Sequence, residues 1–327
     1  MENAAVMMDL QALPEGCIAN VISLTTPRDA CRLSLISRDF KSAADSDAVW
    51  DKFLPHETNE ILSHSESAIH AKSKKELYFT LSHNPIVIDD GKMSFSLDKW
   101  SGKKCYMIAA RRLRIAWGDN PDIWTWKSLP ESRFKEAAEL HSVSWFEIRG
   151  RIETRMLSPS TTYKAYLVYK LTKRGYGQQW PVVVTVGARA YGFDYECPGL
   201  KEITAERKKI NEAKFPNENR VDGWLEMELG EFHCEGDEDE ELEMICCKIE
   251  NYTGMGGLLV KGIEIRPKRN MDIVIDQDHG GLPAIDHGDL RAMYQYVHVS
   301  GLKSITSKHL ALASQVISFT CAIIPGR

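Results

Sequence analysis

The chain has 327 residues, of which 43% are hydrophobic and 27% are charged, and its formal net charge is -5. This is the composition of a folded protein, and the length allows more than one domain, because domains most often have roughly 100 to 150 residues. A nucleic-acid-binding protein would usually carry a basic excess to neutralise phosphates, so the slightly acidic balance disfavours that class.

The start of the chain shows no targeting or membrane signal. The segment MENAAVMMDLQALPEG lacks a basic stretch followed by an apolar one, and no run approaches the roughly 18 to 20 apolar residues that a spanning helix needs. The 8 cysteines are scattered, without CxxC pairs or the density of a disulfide framework. We therefore expect a protein of the cytoplasm and/or nucleus that is neither secreted nor bound to a membrane.

After a start at 1–12 that we expect to be flexible, residues 13–55 predict three short helices. Pro14 suits a first helical turn, and Ile18 and Ile22 then recur at helical spacing, which creates one apolar face. The first helix therefore has a side that must be covered.

Two further helix starts follow in the same module. Thr26 before Pro27 predicts the N-cap of a second helix, and Ser46 predicts the N-cap of a third, which carries Val49 and Trp50. A module this short cannot bury all its apolar groups by itself, because chains below about 40 residues usually need a staple or a partner. We expect this helical module to dock on another part of the chain or on a partner.

The order of these signals, Leu-Pro, Ile-x-x-x-Ile, Leu-x-x-x-Ser-Arg and Val-Trp, resembles the F-box, which binds the Skp1 adaptor of cullin-RING ubiquitin ligases. The resemblance implies that the adaptor-facing positions are Leu13, Pro14, Ile18, Ile22, Leu24, Leu33, Val49 and Trp50. The alternative is that these residues only pack against the rest of the chain.

Residues 56–89 are polar and predict a partly helical linker, with a helical pattern over 73–82 that ends before Asn84-Pro85. The period then becomes that of strands, and we expect a sheet domain over 90–268. Its strand-like runs include TTYKAYLVYKLT, DGWLEMELGEF and LLVKGIEIRP. Strands at such intervals, with little helix between them, favour an antiparallel sandwich or jelly roll.

Alternation is clear in one of these runs, where one face of the strand carries Tyr163, Ala165, Leu167 and Tyr169. The predicted fold class is therefore mainly β, with an α-helical N-terminal module ahead of the sandwich. Residues 269–327 are ambiguous, and we expect a poorly ordered extension there.

Several segments of the sheet domain resemble the phloem protein 2 family of plants, which includes the Nictaba lectin. The matching segments are LRIAWGDNPDIWTWK, VSWFEIRGRIET, the strand that begins at Tyr163, DGWLEMELGEF and VKGIEIRP. With the N-terminal helices, the chain thus resembles an F-box protein that carries a lectin-like domain.

The stretch WGDNPDIWTW contains the candidate ligand site. A sugar needs a flat aromatic platform for its C–H patch and a few fixed polar groups for its hydroxyls. The resemblance implies that Trp117 and Trp124 bind carbohydrate, and Asp119 and Asn120 in the same turn are secondary candidates. The alternative is that the tryptophans fill the core and the turn residues bond nearby backbone, and for Trp126 we favour the core.

No motif places a nucleophile near a base, and the histidines show no metal-ligand spacing, so we expect no catalytic residues, no metal and no cofactor. The resemblances imply a non-catalytic substrate-recognition subunit of a Skp1-cullin-F-box ubiquitin ligase. Its partners would be a Skp1-type adaptor, cullin through that adaptor, and an N-glycan or glycoprotein target, with no nucleic acid and no membrane. A dimer through the lectin domain stays open.

Two alternatives belong to other classes. The chain could be a carbohydrate-binding lectin that acts without a ligase, or an F-box receptor whose sandwich binds a protein surface and no sugar. A hydrolase on a jelly-roll scaffold is disfavoured, because no acid-base pair is evident.

Overall fold

The computed structural model describes residues 13–130, 132–177, 182–188, 211–213, 222–236, 240–248 and 254–269. The predicted flexible start at 1–12 lies outside the described residues, as does all of the predicted extension except Arg269. None of the helices in these ranges has both the length and the hydropathy needed to cross a bilayer.

Six helices occupy the N-terminal part. They are α1 (Glu15–Ser23), α2 (Pro27–Leu33), α3 (Arg38–Asp45), α4 (Asp47–Phe53), α5 (Thr58–Ser63) and α6 (Lys74–His83). Both predicted caps are present, since Thr26 accepts a hydrogen bond from the backbone N–H of Asp29 and Ser46 accepts one from Ala48. The two side chains thus satisfy backbone donors that a helix start leaves without partners.

The structure has four helices within 13–53, where the sequence predicts three. The additional helix, α3, is capped by Ser37 and buries Phe40, Ala43 and Ala44. These three residues have helical spacing, but two of them are alanines in a polar segment, so their apolar stripe gives a weak signal.

The helical module is built around Trp50. Its fully buried indole lies 5.1 Å from the ring of Tyr78 and 5.2 Å from that of Phe79, measured between ring centroids. Its Nε1–H donates to the carbonyl oxygen of Ala44 at 2.7 Å, so the polar edge of the buried ring is satisfied. Helix α6, which the sequence assigns to the linker, therefore contributes to the core of the helical module.

Thirteen strands follow in the described residues, and they form two antiparallel sheets. They are β1 (Ile86–Ile88), β2 (Met93–Leu97), β3 (Lys104–Ala109), β4 (Arg114–Ile115), β5 (Trp124–Ser128), β6 (Glu136–Leu140), β7 (Phe146–Glu153), β8 (Thr161–Tyr176), β9 (Val182–Ala188), β10 (Asn211–Ala213), β11 (Leu225–Cys234), β12 (Glu241–Lys248) and β13 (Gly256–Pro267). The predicted fold class, mainly β behind a helical module, is confirmed.

Strand β13 is the centre of the first sheet. Strand β8 pairs along one edge of it, while β3 and β6 share the other edge. Strands β2 and β1 extend the sheet beyond β3, β5 extends it beyond β6, and β11 extends it beyond β8. The second sheet has the order β10-β9-β12-β7-β4.

The two sheets share a core with the helices. The alternating residues of β8, from Tyr163 to Tyr169, are fully buried, so the predicted face is confirmed. A Cβ atom added to Gly150 on β7 would lie 2.8 Å from Cδ1 of Ile263 on β13, which shows how closely the sheets approach there. A side chain at this position would require Ile263 to move aside.

The turn between β2 and β3 is locked by its own polar groups. One carboxylate oxygen of Asp98 accepts hydrogen bonds from the backbone N–H of Trp100 at 3.2 Å and of Ser101 at 2.9 Å, and from the Ser101 hydroxyl at 2.8 Å. Gly102 completes the turn with a φ of +71°, in the left-handed region that favours glycine.

This turn also fastens the sheets to the helices. The Tyr78 hydroxyl of α6 donates to the carbonyl oxygen of Asp98 at 3.1 Å, and burial raises the pKa of Tyr78, so the donor keeps its proton. A Cβ atom on Gly102 would lie 3.3 Å from the Phe53 carbonyl oxygen and 3.4 Å from Cγ of Pro27. The turn therefore packs against α2, α4 and α6.

An ion pair also links the helices to the first sheet. The buried Lys104 of β3 contacts Glu57 at 2.5 Å between Nζ and Oε1. Burial alone would raise the pKa of Glu57, but the hydrogen bond and the charge of Lys104 outweigh it and lower that pKa. The Glu57 carboxylate therefore stays ionised at neutral pH, and its contact with Lys104 holds the start of α5 to the first sheet.

Replacing Gly262 of β13 by alanine should destabilise the protein by about 1 to 3 kcal/mol, the usual cost of overpacking. The added Cβ would overlap the carbonyl oxygen of Ile108 on β3, where backbone cannot move aside. The midpoint of urea unfolding measures the change. Gly187→Ala is the matched control, because that strand glycine has nothing within 4 Å of its would-be Cβ. Equal stability of the two variants would contradict the close approach of β13 to β3.

Candidate functional site

The predicted sugar-binding stretch forms a tight turn between β4 and β5. Backbone N–H groups of Asn120 and Trp124 donate to the carbonyl oxygens of Trp117 and Asn120, each at 2.9 Å. The side-chain oxygen of Asn120 also accepts a hydrogen bond from the backbone N–H of Asp122 at 3.0 Å. The turn is thus held by its own hydrogen bonds before any ligand arrives.

Trp117 is presented outward from this turn. Its side chain is 51% exposed, and its backbone has a φ of +61°, a left-handed conformation that is rare for a bulky residue. Holding a tryptophan there costs on the order of 1 to 3 kcal/mol, which the hydrogen-bonded turn must supply.

A second tryptophan lies against Trp117. The rings of Trp117 and Trp145 make an edge-to-face contact, with centroids 5.9 Å apart and planes at 66°. Trp145 is half-buried and stands just before β7. The contact limits the orientations of the Trp117 ring, so the two residues form one aromatic platform.

Trp124 lies in the core. It is only 2% exposed, and its Nε1–H donates to the carbonyl oxygen of Ala116 at 3.1 Å, which satisfies its polar edge from within. The predicted direct contact between Trp124 and a sugar does not fit this placement, because the ring has no free face. What Trp124 does here is pin the turn that presents Trp117.

Trp126 is half-buried on the same strand and packs against the main core. The guanidinium of Arg111 lies over its ring, 3.6 Å from the centroid. The hydrogen bond from Arg111 to the exposed Glu136 lowers the pKa of that carboxyl. One side of the Trp126 ring is therefore occupied by the chain's own cation.

The two polar candidates are both in the turn, but they differ. Asp119 is exposed beside Trp117, whereas the side-chain oxygen of the half-buried Asn120 is engaged with Asp122. Asp119 is therefore the better placed of the two to meet a ligand, with the exposed Asp122 nearby in sequence. In the part of the chain that the structure describes, no group of three His, Cys, Asp or Glu side chains is arranged to hold a metal ion.

Trp145 was missed by the sequence reasoning, which treated VSWFEIRGRIET only as one segment of the family resemblance. Trp145 lies just before β7, so the direction of its side chain is not set by the in-out alternation of that strand. This position ahead of the strand is the sequence feature that could have identified it.

The eight predicted adaptor-facing residues divide into two groups. Ile18, Ile22, Val49 and Trp50 are 0 to 2% exposed and form the core of the helical module. A partner cannot touch them in this conformation, so the prediction of direct contact needs correction for these four, and packing within the chain explains them. The others are more accessible: Pro14 is exposed, Leu13 and Leu33 are half-buried, and Leu24 is 57% exposed.

Two further apolar residues reach the surface of the helical module. Leu35 is 72% exposed and Ile36 is 36% exposed, in the turn between α2 and α3. With Leu24 they make up half of the six large hydrophobic residues that are exposed in the described residues. Helix α2 ends at Leu33, so both residues lie beyond the end of the helix.

Comparison with known proteins finds two family models along the described part of the chain. The F-box domain matches residues 10–52, and phloem protein 2 matches residues 103–267. A model for a Vps54-like protein matches residues 295–326, which lie outside the described residues.

Curated relatives from Arabidopsis thaliana combine the same parts. The F-box protein At2g02240 is 45% identical over 264 residues, covering 79% of this chain and 80% of that protein. The putative F-box protein PP2-B12 is 41% identical, covering 80% of this chain and 99% of that protein. Among solved structures, a family 35 carbohydrate binding module from Clostridium thermocellum has a TM-score of 0.29 at 11% identity over 49% of this chain and 96% of that chain, a likeness too weak to carry an argument.

Alanine at the two tryptophans of the turn should lower stability by very different amounts. Trp124→Ala should cost about 3 to 5 kcal/mol, as for other buried aromatic residues. Trp117→Ala should cost about 1 kcal/mol or less, because it loses an exposed ring and one edge contact. Urea unfolding followed by circular dichroism measures both. A Trp117 variant as unstable as the Trp124 variant would mean that Trp117 serves the fold and not a ligand.

Proposed function

This chain belongs to the F-box proteins that carry a phloem protein 2 domain, and from that premise we propose that it is a substrate-recognition subunit of a Skp1-cullin-F-box ubiquitin ligase. The F-box would hold a Skp1-type adaptor and, through it, cullin. The sheet domain would hold an N-glycan or glycoprotein target. The chain itself would contribute no bond-making chemistry.

Uncovered apolar residues carry the adaptor part of the proposal. Leu24, Leu35 and Ile36 stay exposed in a module whose other large apolar side chains are buried or partly buried against the core. Exposed apolar residues that lie together and are rimmed by polar groups mark protein interaction sites. The residues of α1 and α4 that form the core are already covered by the chain itself. The adaptor would therefore contact the exposed residues without a change in the core.

The glycan part rests on Trp117. A pyranose ring presents a patch of C–H groups that stacks on a flat aromatic face, while its hydroxyls need fixed polar partners. The half-exposed indole of Trp117 is fixed by the turn on one side and by Trp145 on the other, so little conformational entropy is lost on binding. Exposed carboxylates at Asp119 and Asp122 supply acceptors for sugar hydroxyls.

The contribution to ubiquitin transfer would be position. A protein that binds the ligase at one surface and the target at another raises the effective concentration of the target lysines near the enzyme that carries the activated ubiquitin. We also propose that this happens in the cytoplasm and/or nucleus. The support is in the sequence, where the cysteines are scattered without CxxC pairs or disulfide-like density, as is typical of proteins from a reducing compartment.

The adaptor part is tested with the double variant Leu35→Ala, Ile36→Ala in the full chain. Binding to a purified plant Skp1-type adaptor, measured by calorimetry, should weaken at least about tenfold, which is about 1.4 kcal/mol. The matched control is Tyr176→Ala, which removes a 44% exposed aromatic ring at the distant end of β8. Adaptor binding that survives the double variant unchanged would remove the support for a ligase subunit and leave a lectin acting alone.

The glycan part is tested by binding of the full chain to an array of N-glycans. The parent should bind, and Trp117→Ala should abolish binding while far-ultraviolet circular dichroism shows an intact fold. Arg155→Ala is a surface control, because that exposed side chain follows β7 and lies in neither proposed site. If the folded parent binds no glycan, the receptor recognises a protein surface instead. A dimer through the sheet domain stays a prediction.

A further inference from the structure

We propose that the adaptor-binding surface does not end at the helical module but continues onto the sheet domain at Trp100, where it meets an acidic rim of the same adaptor. This inference rests on the proposed function. It adds a contact from the second domain and the charge of the partner surface that fits it.

Trp100 is an exposed aromatic residue that the sugar site leaves out. It lies in the turn between β2 and β3 and is 46% exposed. Among the exposed large apolar residues of the described chain, Trp117 and Tyr176 lie elsewhere on the sheets. Tryptophan is enriched among the residues that contribute most to protein interfaces, since it offers a large apolar area at little entropic cost.

The ring of Trp100 is next to α2. The guanidinium of Arg28, in the first turn of that helix, lies 5.4 Å from the ring centroid, and the ammonium of Lys99 lies 5.2 Å from it. Leu24 comes shortly before α2, and Leu35 and Ile36 come directly after it. A helix of seven residues is about 10 Å long, so these apolar residues are spread over a distance that one interface of standard size covers.

The position of Trp100 is fixed before binding. Asp98 holds the backbone of Trp100 and Ser101, and Tyr78 and Gly102 fasten the turn to the helices. A partner that docks on α2 therefore finds the ring already in place, which avoids the entropic cost of ordering a loop. The same constraint makes it difficult for an adaptor to cover α2 without meeting Trp100.

The charge around this surface is positive, although the whole chain has a net charge of -5. Segment 27–41 carries four cationic and two acidic side chains, and Lys99 adds a further cation beside Trp100. All five cations, Arg28, Arg32, Arg38, Lys41 and Lys99, are exposed, and among them Arg32 pairs with Asp29. Complementary potentials steer association and set specificity, so the surface fits a partner with acidic side chains around an apolar centre.

The test is calorimetric binding of the full chain to a purified plant Skp1-type adaptor. Trp100→Ala should weaken binding at least about tenfold, while Trp100→Phe, which keeps a ring, should retain most of the affinity. Tyr176→Ala, at the opposite end of β13 from the Trp100 turn, should bind like the parent. Circular dichroism confirms that each variant is folded.

Two outcomes separate this inference from the proposed function. If Leu35→Ala, Ile36→Ala loses binding and folded Trp100→Ala binds like the parent, the interface is confined to the helices and the inference is overturned. If the double variant also binds like the parent, the ligase proposal itself fails.

Charge reversal tests the acidic rim. Lys99→Glu should slow association with the adaptor at low salt, and the difference should shrink as salt rises, because exposed charges are screened. Stopped-flow association at two salt concentrations measures this. An association rate equal to that of the parent at low salt would overturn the acidic partner surface.

Discussion

The burial of Trp50 is the constraint on which the rest of this structure depends. The F-box helices are too short to enclose their own apolar faces, so the indole is covered by Tyr78 and Phe79 of α6. Tyr78 in turn bonds the turn that begins β3. A single aromatic side chain therefore links the helical module, the segment after it and the first sheet into one core.

The turn that carries Trp117 contains a strained residue and is held by its own hydrogen bonds. Trp117 keeps an unfavourable backbone conformation since the hydrogen bonds around Asn120 and the buried indole of Trp124 determine the path of the chain on both sides. Two tryptophans seven residues apart thus have different roles. The buried Trp124 fixes the path of the turn, and the turn holds Trp117 at the surface.

Much of the fold could be predicted from local pattern. The caps at Thr26 and Ser46 and the buried face of β8 depend on residue type and spacing within a few positions, and both were evident in the sequence. Helix α3 was not evident, because alanine side chains contribute little to an apolar periodicity. The role of α6 was also missed, since a polar helix reveals its buried Tyr78 only when Trp50 is known to need a cover.

The sites were harder to predict because they depend on exposure. Motif resemblance brought Trp117 and Trp124 forward together, but only the path of the turn decides which ring reaches solvent. The same limit applies to the proposed adaptor surface. Ile18 and Leu24 are both apolar in the sequence, but in the structure Ile18 is buried and Leu24 is exposed. Trp145 and Trp100 became candidates only through contacts with residues distant in the chain.

The locked turn at Gly102 has a consequence for how such proteins can evolve. F-box and sheet parts joined by a loose tether could be exchanged between genes without further change. Here the glycine fits against Pro27 and the Phe53 carbonyl, and the Tyr78 hydroxyl ends on the backbone of the partner domain. A different sheet domain joined to this helical module would therefore need a turn that fits Pro27, the Phe53 carbonyl and the Tyr78 hydroxyl.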